Sequence, residues 1–471
     1  MNMSRRFNAL CALGLSALAA GCDGGTAQEG AGQSVNLQHG GAMPNLNLPE
    51  YQYRPDGTGI NNSASGVGTT DLTVDYNLAL RTAAIKLRGD LPTLAEIRQL
   101  QAAVAANLSD GSANDPQAVY TSLVNGFIND PAQARNFNNQ MVTFWRNQLR
   151  MGGQLTNPLA DLATAAANLR TVSLETAPVL LGRLTATGAD MRTAFTQPTN
   201  NCPTFNQSTG VFADGNCFTG ATVAGSSTAT NMGNNIPEGQ QAGVLTNPGF
   251  NAQYYSNFGF RRQRLIQEVF ACSRLPSEIA PTPQIINSAV YSAPWPLKSI
   301  TSNAAPPTYP APRRVVGGTI NSQLYVDFNV EQGCYNCHVT LNHRAPLFAG
   351  FDAVGFMNNA GLSMVHSTVT GSPFTMNQDF FPATETTAWK YKVPANTIQA
   401  FGQAMAEDPQ IAKCFMIRLW NEAYSRDDVV NDLALVPDSV IAPMTQYFVN
   451  NNYNMKLAIA KIFTDANFIR F

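Results

Sequence analysis

The sequence predicts a mainly α fold, with a helical N-terminal domain, a C-terminal α domain and long irregular connections. Three observations predict this fold class. Apolar residues recur at helical spacing from about residue 71 to residue 198 and again in the last third of the chain. Helix-capping residues stand directly before several of these stretches. Only one short stretch, at Leu324, Val326 and Phe328, alternates as a strand would.

The composition excludes several classes of protein. The chain has 471 residues, which is enough for about three domains. Charged residues make up 13% of it, well below the usual fraction in soluble proteins, and this deficit is common in exported proteins. The 29 Lys and Arg against 31 Asp and Glu give a net charge of -2, so nucleic acid is not expected as a partner.

The N-terminus has the pattern of a secretory signal. Arg5 and Arg6 precede a short uncharged stretch that is too short to span a bilayer as a mature helix. It ends Leu-Ala-Ala-Gly-Cys at Cys22, which resembles the lipobox of bacterial lipoproteins. We therefore expect cleavage before Cys22 and lipidation of its thiol, which would anchor the protein in one membrane leaflet. The alternative is an ordinary signal with Cys22 as a free thiol.

Composition shifts divide the chain into six parts. The expected order is a signal peptide (1–21), a flexible tether (22–70), a helical domain (71–198), a surface loop clipped by a disulfide (199–250), a helix with a Pro-rich connection (251–320) and a C-terminal domain (321–471).

Local signals place the helices within these parts. Thr93 and Glu96 form a capping box ahead of Leu94, Ile97, Leu100, Val104 and Leu108. Asp-Pro pairs, each a capping carboxylate before a proline at the first helical position, predict three further helix starts, at Asp115, Asp130 and Asp408. Other helices are expected over about 256–273, from near Pro394, from Pro437 and over 453–463.

The strongest chemical signal is Cys334-Tyr-Asn-Cys337-His338, a C-x-x-C-H motif typical of covalent c-type haem attachment. Two cysteines three residues apart on a helical turn share one face and can bind both vinyl groups of a porphyrin. The adjacent His338 can then ligate the iron as the proximal ligand. Three alternatives remain: a redox C-x-x-C, half of a zinc site, and a plain disulfide. The first lacks a surrounding βαβ pattern and the second lacks further ligands at zinc spacing.

The sixth iron ligand is not fixed by the sequence. Met376 is the first candidate, because it follows His338 by 38 residues and precedes the closing helices. The other candidates are His366, Met364 and Met405, or an open position, and histidine ligation would lower the reduction potential relative to methionine.

Four more cysteines are expected to form disulfides, because exported chains rarely keep free thiols. Cys202 and Cys217 flank a polar loop and would clip it. Cys272 and Cys414 lie on predicted helices on either side of the haem motif, and a bridge would fasten the two helices together. Two buried free thiols are the alternative for this second pair.

The haem segment resembles the planctomycete-type multidomain cytochromes c. In that family C-x-x-C-H is followed by a short turn and F-D-x-x-G, which stands here as Phe351-Asp-Ala-Val-Gly355. The stretch from Arg261 to Cys272 is similar to the family's helix before the haem. The segments over 80–100 and 405–468 are similar to its N-terminal and C-terminal helical modules.

The resemblance implies export, one covalent haem c and a cytochrome c-like α domain over 321–471. Two departures concern partner contacts. Asn342-His343-Arg344 stands where the family usually has Asp-Pro or Asn-Pro followed by Gly, and the usual Arg after F-D-x-x-G is replaced near Met357.

The sequence therefore favours an exported, lipid-anchored monohaem c-type cytochrome that exchanges single electrons with an unidentified redox partner. The expected location is the cell envelope of a Gram-negative bacterium, facing the periplasm or the surface. Lys390 and Lys392 beside Trp389 are expected to form a solvated face, with a docking edge as the alternative. The alternatives for the whole protein are a haem-dependent oxidoreductase for a small substrate and a docking lipoprotein of a larger complex. Oligomeric state and enzymatic activity stay open.

Overall fold

The computed structural model describes most of the body of the chain and is mainly helical. The described residues are 73–106, 112, 114–158, 169–215, 241–255, 259–273, 319–320, 323–324, 341, 343–348, 351, 355, 364–366, 373–375, 386–390, 393–426 and 436–471. Within these ranges, no helix combines the length and apolar character needed to cross a bilayer. The predicted signal and tether lie outside the described residues.

Twelve α-helices lie within the described ranges. The first six are α1 (Tyr76–Arg88), α2 (Leu94–Ala106), α3 (Pro116–Asn129), α4 (Ala134–Leu149), α5 (Thr176–Thr187) and α6 (Thr193–Thr196). They are followed by α7 (Pro248–Gln253) and α8 (Phe260–Leu265), and α8 continues directly into a π-helical turn, Ile266–Phe270. The last four are α9 (Ile398–Ala406), α10 (Pro409–Ala423), α11 (Asp438–Asn450) and α12 (Met455–Phe463).

The described strands form five separate antiparallel pairs. These are β1 (Gln154–Pro158) with β2 (Leu169–Ser173), β3 (Thr204–Asn206) with β4 (Val211–Ala213), β5 (Thr319–Ile320) with β6 (Gln323–Leu324), β7 (Met364–His366) with β8 (Pro373–Thr375), and β9 (Ala388–Lys390) with β10 (Val393–Pro394). The strand expected at Leu324 is limited to β6 in the described residues.

The predicted caps are confirmed where the sequence signal is local. Thr93 and Glu96 bond reciprocally: the Thr93 amide donates to the Glu96 carboxylate at 2.6 Å, and the Glu96 amide donates to Thr93 Oγ1 at 3.3 Å. Asp115 accepts the amide of Gln117 at 2.8 Å at the start of α3. Asp408 caps α10 in the same way, accepting from the Gln410 amide at 3.0 Å.

Three expectations need correction. The helix expected near Pro394 begins at Ile398, because Pro394 lies in β10 opposite Ala388 and Thr397 provides the cap. Asp130 opens a short 3-10 turn, and α4 follows it. The apolar stripe of α2 is largely exposed: Leu100 is buried, whereas Leu94 is 67% exposed.

The N-terminal and C-terminal helices share one hydrophobic core, which runs from Ala79 to Ile469. The backbones of Thr73 and Phe471 exchange two hydrogen bonds, of 3.2 and 3.1 Å. The buried Tyr120 hydroxyl of α3 donates to the Phe463 carbonyl of α12 at 2.6 Å. The two ends of the described chain are therefore packed together, while the domain boundaries stay a prediction.

Helices α4 and α5 pack closely because α5 has a glycine at their contact. A Cβ on Gly182 would lie 2.8 Å from Val142 Cγ2 and 3.0 Å from Val142 Cα. We expect Gly182→Ala to lower the free energy of unfolding by about 1–3 kcal/mol through overpacking. Gly126 in α3 is the matched control, because a Cβ there meets nothing within 4 Å. Gly126→Ala should raise the free energy by about 0.5–1 kcal/mol through helix propensity. Urea denaturation measures the change in unfolding free energy of each variant. A change of the same sign in both variants would contradict the packing argument.

Candidate functional site

The residues of the predicted haem site are only partly described. Cys334, Cys337, His338 and Met376 lie outside the described residues, as do Cys22 and Cys217. Met364 and His366 lie in β7, opposite Thr375 and Pro373 of β8. Met405 is fully buried in α9. Among the side chains that the structure describes, no three His, Cys, Asp or Glu are grouped closely enough to hold a metal ion.

The first continuous described stretch after the motif is buried and starts five residues after His338, and the singly described Leu341 before it is buried as well. We call residues 343–348 the post-motif segment. Every residue in it is buried, including His343 and Arg344 at 1% and 0% exposure. Ala345–Leu347 form a 3-10 turn, and the side chains of Leu347 and Phe348 join the main hydrophobic core, which favours enclosing the segment.

Arg262 of α8 satisfies the backbone at the end of this segment. Its guanidinium donates to the carbonyls of Phe348 and Phe351 at 2.8 and 3.1 Å, and to the carbonyl of Asn251 at 2.8 Å. Buried backbone carbonyls need hydrogen-bond donors, and one buried arginine supplies three of them here. Gly259, with φ +72°, allows the close approach, because a Cβ there would lie 3.2 Å from Phe348 Cβ.

Arg344 fixes the other end of the post-motif segment. It donates to the Trp389 carbonyl at 2.9 and 2.7 Å and to Gln267 Oε1 at 2.8 Å. Its guanidinium carbon also lies 3.9 Å from the centre of the Trp389 ring, within cation–π range. Burial lowers the pKa of Arg344 well below its usual value, and the Asp408 carboxylate acts in the opposite direction. Arginine remains charged in proteins, so Arg344 places a positive charge inside the core, six residues after His338 in the sequence.

The solvated face expected at Lys390 and Lys392 is wrong for Lys390, and Lys392 lies outside the described residues. Lys390 is buried, and its ammonium lies 2.5 Å from Asp408 Oδ2. The Trp389 indole donates to the same carboxylate at 2.7 Å. Burial lowers the pKa of Lys390, Asp408 offsets part of that effect, and the Arg344 charge adds to it. A lysine can be buried here because the cap of α10 supplies its counter-ion.

The π-helical turn at the C-terminal end of α8 is fixed by contacts with α10. Cys272 and Cys414 form a disulfide with a Cα–Cα distance of 5.2 Å, as the sequence analysis expects, and it encloses the chain that contains the haem motif. Arg418 donates to the carbonyls of Val269 and Glu268 at 2.7 and 2.8 Å. These carbonyls belong to the π-helical turn, so α10 satisfies the irregular end of α8. Cys202 is also disulfide-bonded, while Cys217, its expected partner, lies outside the described residues.

The glycine of F-D-x-x-G has a structural role. Gly355 has φ +78°, and a Cβ on it would lie 1.9 Å from the Pro248 carbonyl oxygen at the start of α7. Only glycine fits this position without a shift of the backbone. We call Gly259, Arg262, Arg344 and Gly355 the clamp, because together they fix the chain after the motif against α7, α8 and β9.

Two glutamines on α8 complete the site. Gln263 and Gln267 are both fully buried. Neither amide atom of Gln263, nor Nε2 of Gln267, makes a hydrogen bond to any described group. The sequence analysis did not single out these glutamines or the clamp arginines. The available signal was the run Arg261-Arg-Gln-Arg-Leu-Ile-Gln, which carries more polar residues than a fully buried helix needs.

The role of Gly355 can be separated from its φ angle. Gly153 has the same φ of +78°, with nothing within 4 Å of an added Cβ. Both Gly→Ala variants should lose about 1–2 kcal/mol because the left-handed backbone disfavours a Cβ. Gly355→Ala should lose about 1–3 kcal/mol more, since its Cβ meets the Pro248 carbonyl. Equal losses on chemical denaturation would show that the close contact with α7 is not required.

The buried pair of Lys390 and Asp408 predicts a pH effect. Asp408→Asn leaves Lys390 charged beside Arg344 and should cost about 3–5 kcal/mol of unfolding free energy at neutral pH. Without Asp408, burial holds the pKa of folded Lys390 further below its unfolded value. The loss should therefore shrink as pH rises toward the unfolded pKa of about 10.4. Lys390→Met is the control: it removes the titrating group, so its loss should not shrink with pH. Denaturation between neutral and alkaline pH checks this, and a loss independent of pH in Asp408→Asn would contradict it.

Comparison with known proteins identifies no relative: no protein-family model, curated protein or solved structure matches the chain. The interpretation of this site therefore depends on the chain's own residues. These are the C-x-x-C-H motif in the sequence, the clamp that fixes the chain after it, and the two buried glutamines.

Proposed function

We propose that this protein is an exported, lipid-anchored c-type cytochrome with one covalent haem, which exchanges single electrons with a redox partner protein. The observation that carries the proposal is the C-x-x-C-H motif at Cys334, Cys337 and His338. A buried segment that contains a 3-10 turn and is fixed by the clamp begins five residues after it.

The residues around the motif fit a haem. Cys334 and Cys337 would hold the porphyrin as thioethers, and His338 would ligate the iron. The haem would supply one-electron chemistry at that iron. The unpartnered amide atoms of Gln263 and Gln267 lie on the helix that contacts the post-motif segment, so hydrogen-bonding capacity remains for a bound group.

The chain's own contribution is rigidity and exclusion of water. Arg262 and Arg344 fix the backbone of residues 343–348, which follow His338. The burial of these residues keeps solvent away from that backbone. The disulfide between Cys272 and Cys414 ties the flanking helices together across the motif. A site that moves little when its charge changes favours fast electron transfer, because little solvent and protein must reorganise.

The sixth ligand in this proposal is Met376, with His366, Met364 and Met405 as the other candidates. A methionine would raise the reduction potential relative to histidine. Met405 is fully buried in α9, within the main core, where it also serves packing. His343 is buried in the post-motif segment, only five residues after His338.

The envelope location follows from the N-terminal sequence. Lipidation at Cys22 would insert acyl chains in one leaflet of a Gram-negative envelope, and the tether over 22–70 would give the body reach. The partner is expected to be a protein, because the low charge of the chain provides no field for nucleic acid. We place the chain with the planctomycete-type multidomain cytochromes c as part of this proposal.

The proposal is tested by absorption spectroscopy of the full chain made in a host with c-type haem maturation. We expect a sharp reduced α-band that survives denaturation and is lost in Cys334→Ala/Cys337→Ala. Met376→Ala should remove the weak sulfur-to-iron band of the oxidised protein, whereas Met405→Leu should retain it. Absence of haem from the wild type, with a control cytochrome maturing normally in the same host, would overturn the proposal.

A further inference from the structure

The buried face of α8 carries hydrogen-bonding groups without partners. Gln263 and Gln267 are one helical turn apart, and both are fully buried. Nε2 and Oε1 of Gln263, and Nε2 of Gln267, make no hydrogen bond to any group that the structure describes. Buried polar groups of folded proteins are almost always paired, so three such atoms on one turn indicate a missing bonding partner.

The orientation of one amide is fixed by its neighbour. Arg344 donates to Gln267 Oε1 at 2.8 Å, and a guanidinium can only donate. The oxygen of Gln267 therefore faces Arg344, and its Nε2, with two N–H groups, is the unpartnered end. Gln263 adds two more N–H groups and one acceptor. Most of the unpartnered groups are therefore N–H donors that need an acceptor, and those of Gln267 belong to an amide that bonds to the positively charged Arg344.

This face of α8 is turned toward the post-motif segment. Gly259, Gln263 and Gln267 follow one another at four-residue spacing along the helix. The first is within 3.5 Å of the Ala345 carbonyl oxygen, measured from an added Cβ, and the third bonds to Arg344. Gln263 lies between these two residues along the chain, four residues from each.

We propose that Gln263 and Gln267, together with the charge of Arg344, bind a carboxylate of the haem attached at Cys334 and Cys337. A carboxylate only accepts hydrogen bonds when ionised, and it can accept several at once, which matches this set of donors. The inference rests on the proposed function, because a haem carries two such carboxylates on its propionate side chains. A free small carboxylate would have the same chemistry, and the test separates the two sources.

The test compares the change in melting temperature that a substitution causes in haem-loaded and in haem-free protein, and the two changes are expected to differ in sign. Gln263→Met and Gln267→Met, alone and together, keep the side-chain length and remove the amide. In the Cys334→Ala/Cys337→Ala background, Gln263→Met should leave the melting temperature unchanged or raise it, since it removes buried unsatisfied groups, whereas Gln267→Met should lower it, because Arg344 loses its acceptor at Gln267 Oε1. In haem-loaded protein Gln263→Met should lower the melting temperature by a few degrees, because the carboxylate loses donors. Gln101→Met, at an exposed position on α2, is the control and should change neither.

Two further readouts identify the bound group. Resonance Raman spectra of the haem-loaded protein should show a shift of the propionate bending bands in the double variant and none in Gln101→Met. Acetate and propionate titrated into the haem-free protein should not raise its melting temperature at millimolar concentration. Stabilisation of the haem-free protein by these acids, lost in the double variant, would show a free carboxylate site and overturn the assignment to haem.

Failure of this inference is distinguishable from failure of the proposed function. If the wild type carries covalent haem but the double variant leaves the Raman bands unchanged and Gln263→Met leaves the melting temperature of haem-loaded protein unchanged, the glutamines do not bind the propionate and the cytochrome proposal stands. If the wild type carries no haem, both proposals fall.

Discussion

The buried segment after the motif and the helices packed against it depend on one kind of interaction, the hydrogen bond from a buried arginine to a main-chain carbonyl. Arg262, Arg344 and Arg418 are each fully buried, and together they satisfy carbonyls of α7, α8, β9 and the chain after the motif. None of these carbonyls could be left unpaired in a dry core without a large penalty. Most of these carbonyls lie in the last turn of a short helix, where the helix itself supplies no donor. Long, planar, multivalent side chains do so instead.

This arrangement also concentrates positive charge in the interior. The guanidinium of Arg344 lies over the Trp389 ring. The neighbouring Lys390 pairs with Asp408, which also caps the start of α10. Such a group of charges is costly to bury, and it persists only because each member has fixed hydrogen bonds. A region of positive potential next to a redox centre favours its reduced form, so the same residues that hold the backbone would also raise the potential of the site that we propose.

The parts of the fold that depend on local signals were predictable from the sequence. The capping box at Thr93 and Glu96 and the cap at Asp115 need only neighbouring residues, and the structure contains them as expected. The helix near Pro394 was placed too early, because strand pairing with β9 takes precedence over a weak start signal. The burial expected of the apolar stripe of α2 was wrong for most of its residues. Periodicity shows which residues share a face, but it does not show whether another element covers that face.

The candidate site divides in the same way. The motif at Cys334, Cys337 and His338 is a fixed spacing and could be found in one sequence, although its geometry lies outside the described residues. The clamp could not be found, because charged residues are usually exposed and Arg344 or Lys390 is buried only through acceptors that are distant in sequence. Gly355 was noted as part of a pattern, but only the nearby Pro248 carbonyl explains why a side chain is excluded.

The disulfide joins Cys272, which follows the π-helical turn after α8, to Cys414 of α10. It has a consequence for the order in which the cysteines of the chain react during folding. In an oxidising compartment, cysteines near in sequence meet most often, so a chain that oxidised before folding would join Cys334 to Cys337 first. Docking of α8 on α10 through Arg418 places Cys272 against Cys414 despite their sequence separation of 142. Pairing is then directed by the packed helices and not by chain statistics. Early assembly of this helix pair would remove two of the competing thiols and leave the motif cysteines for the thioethers that we propose.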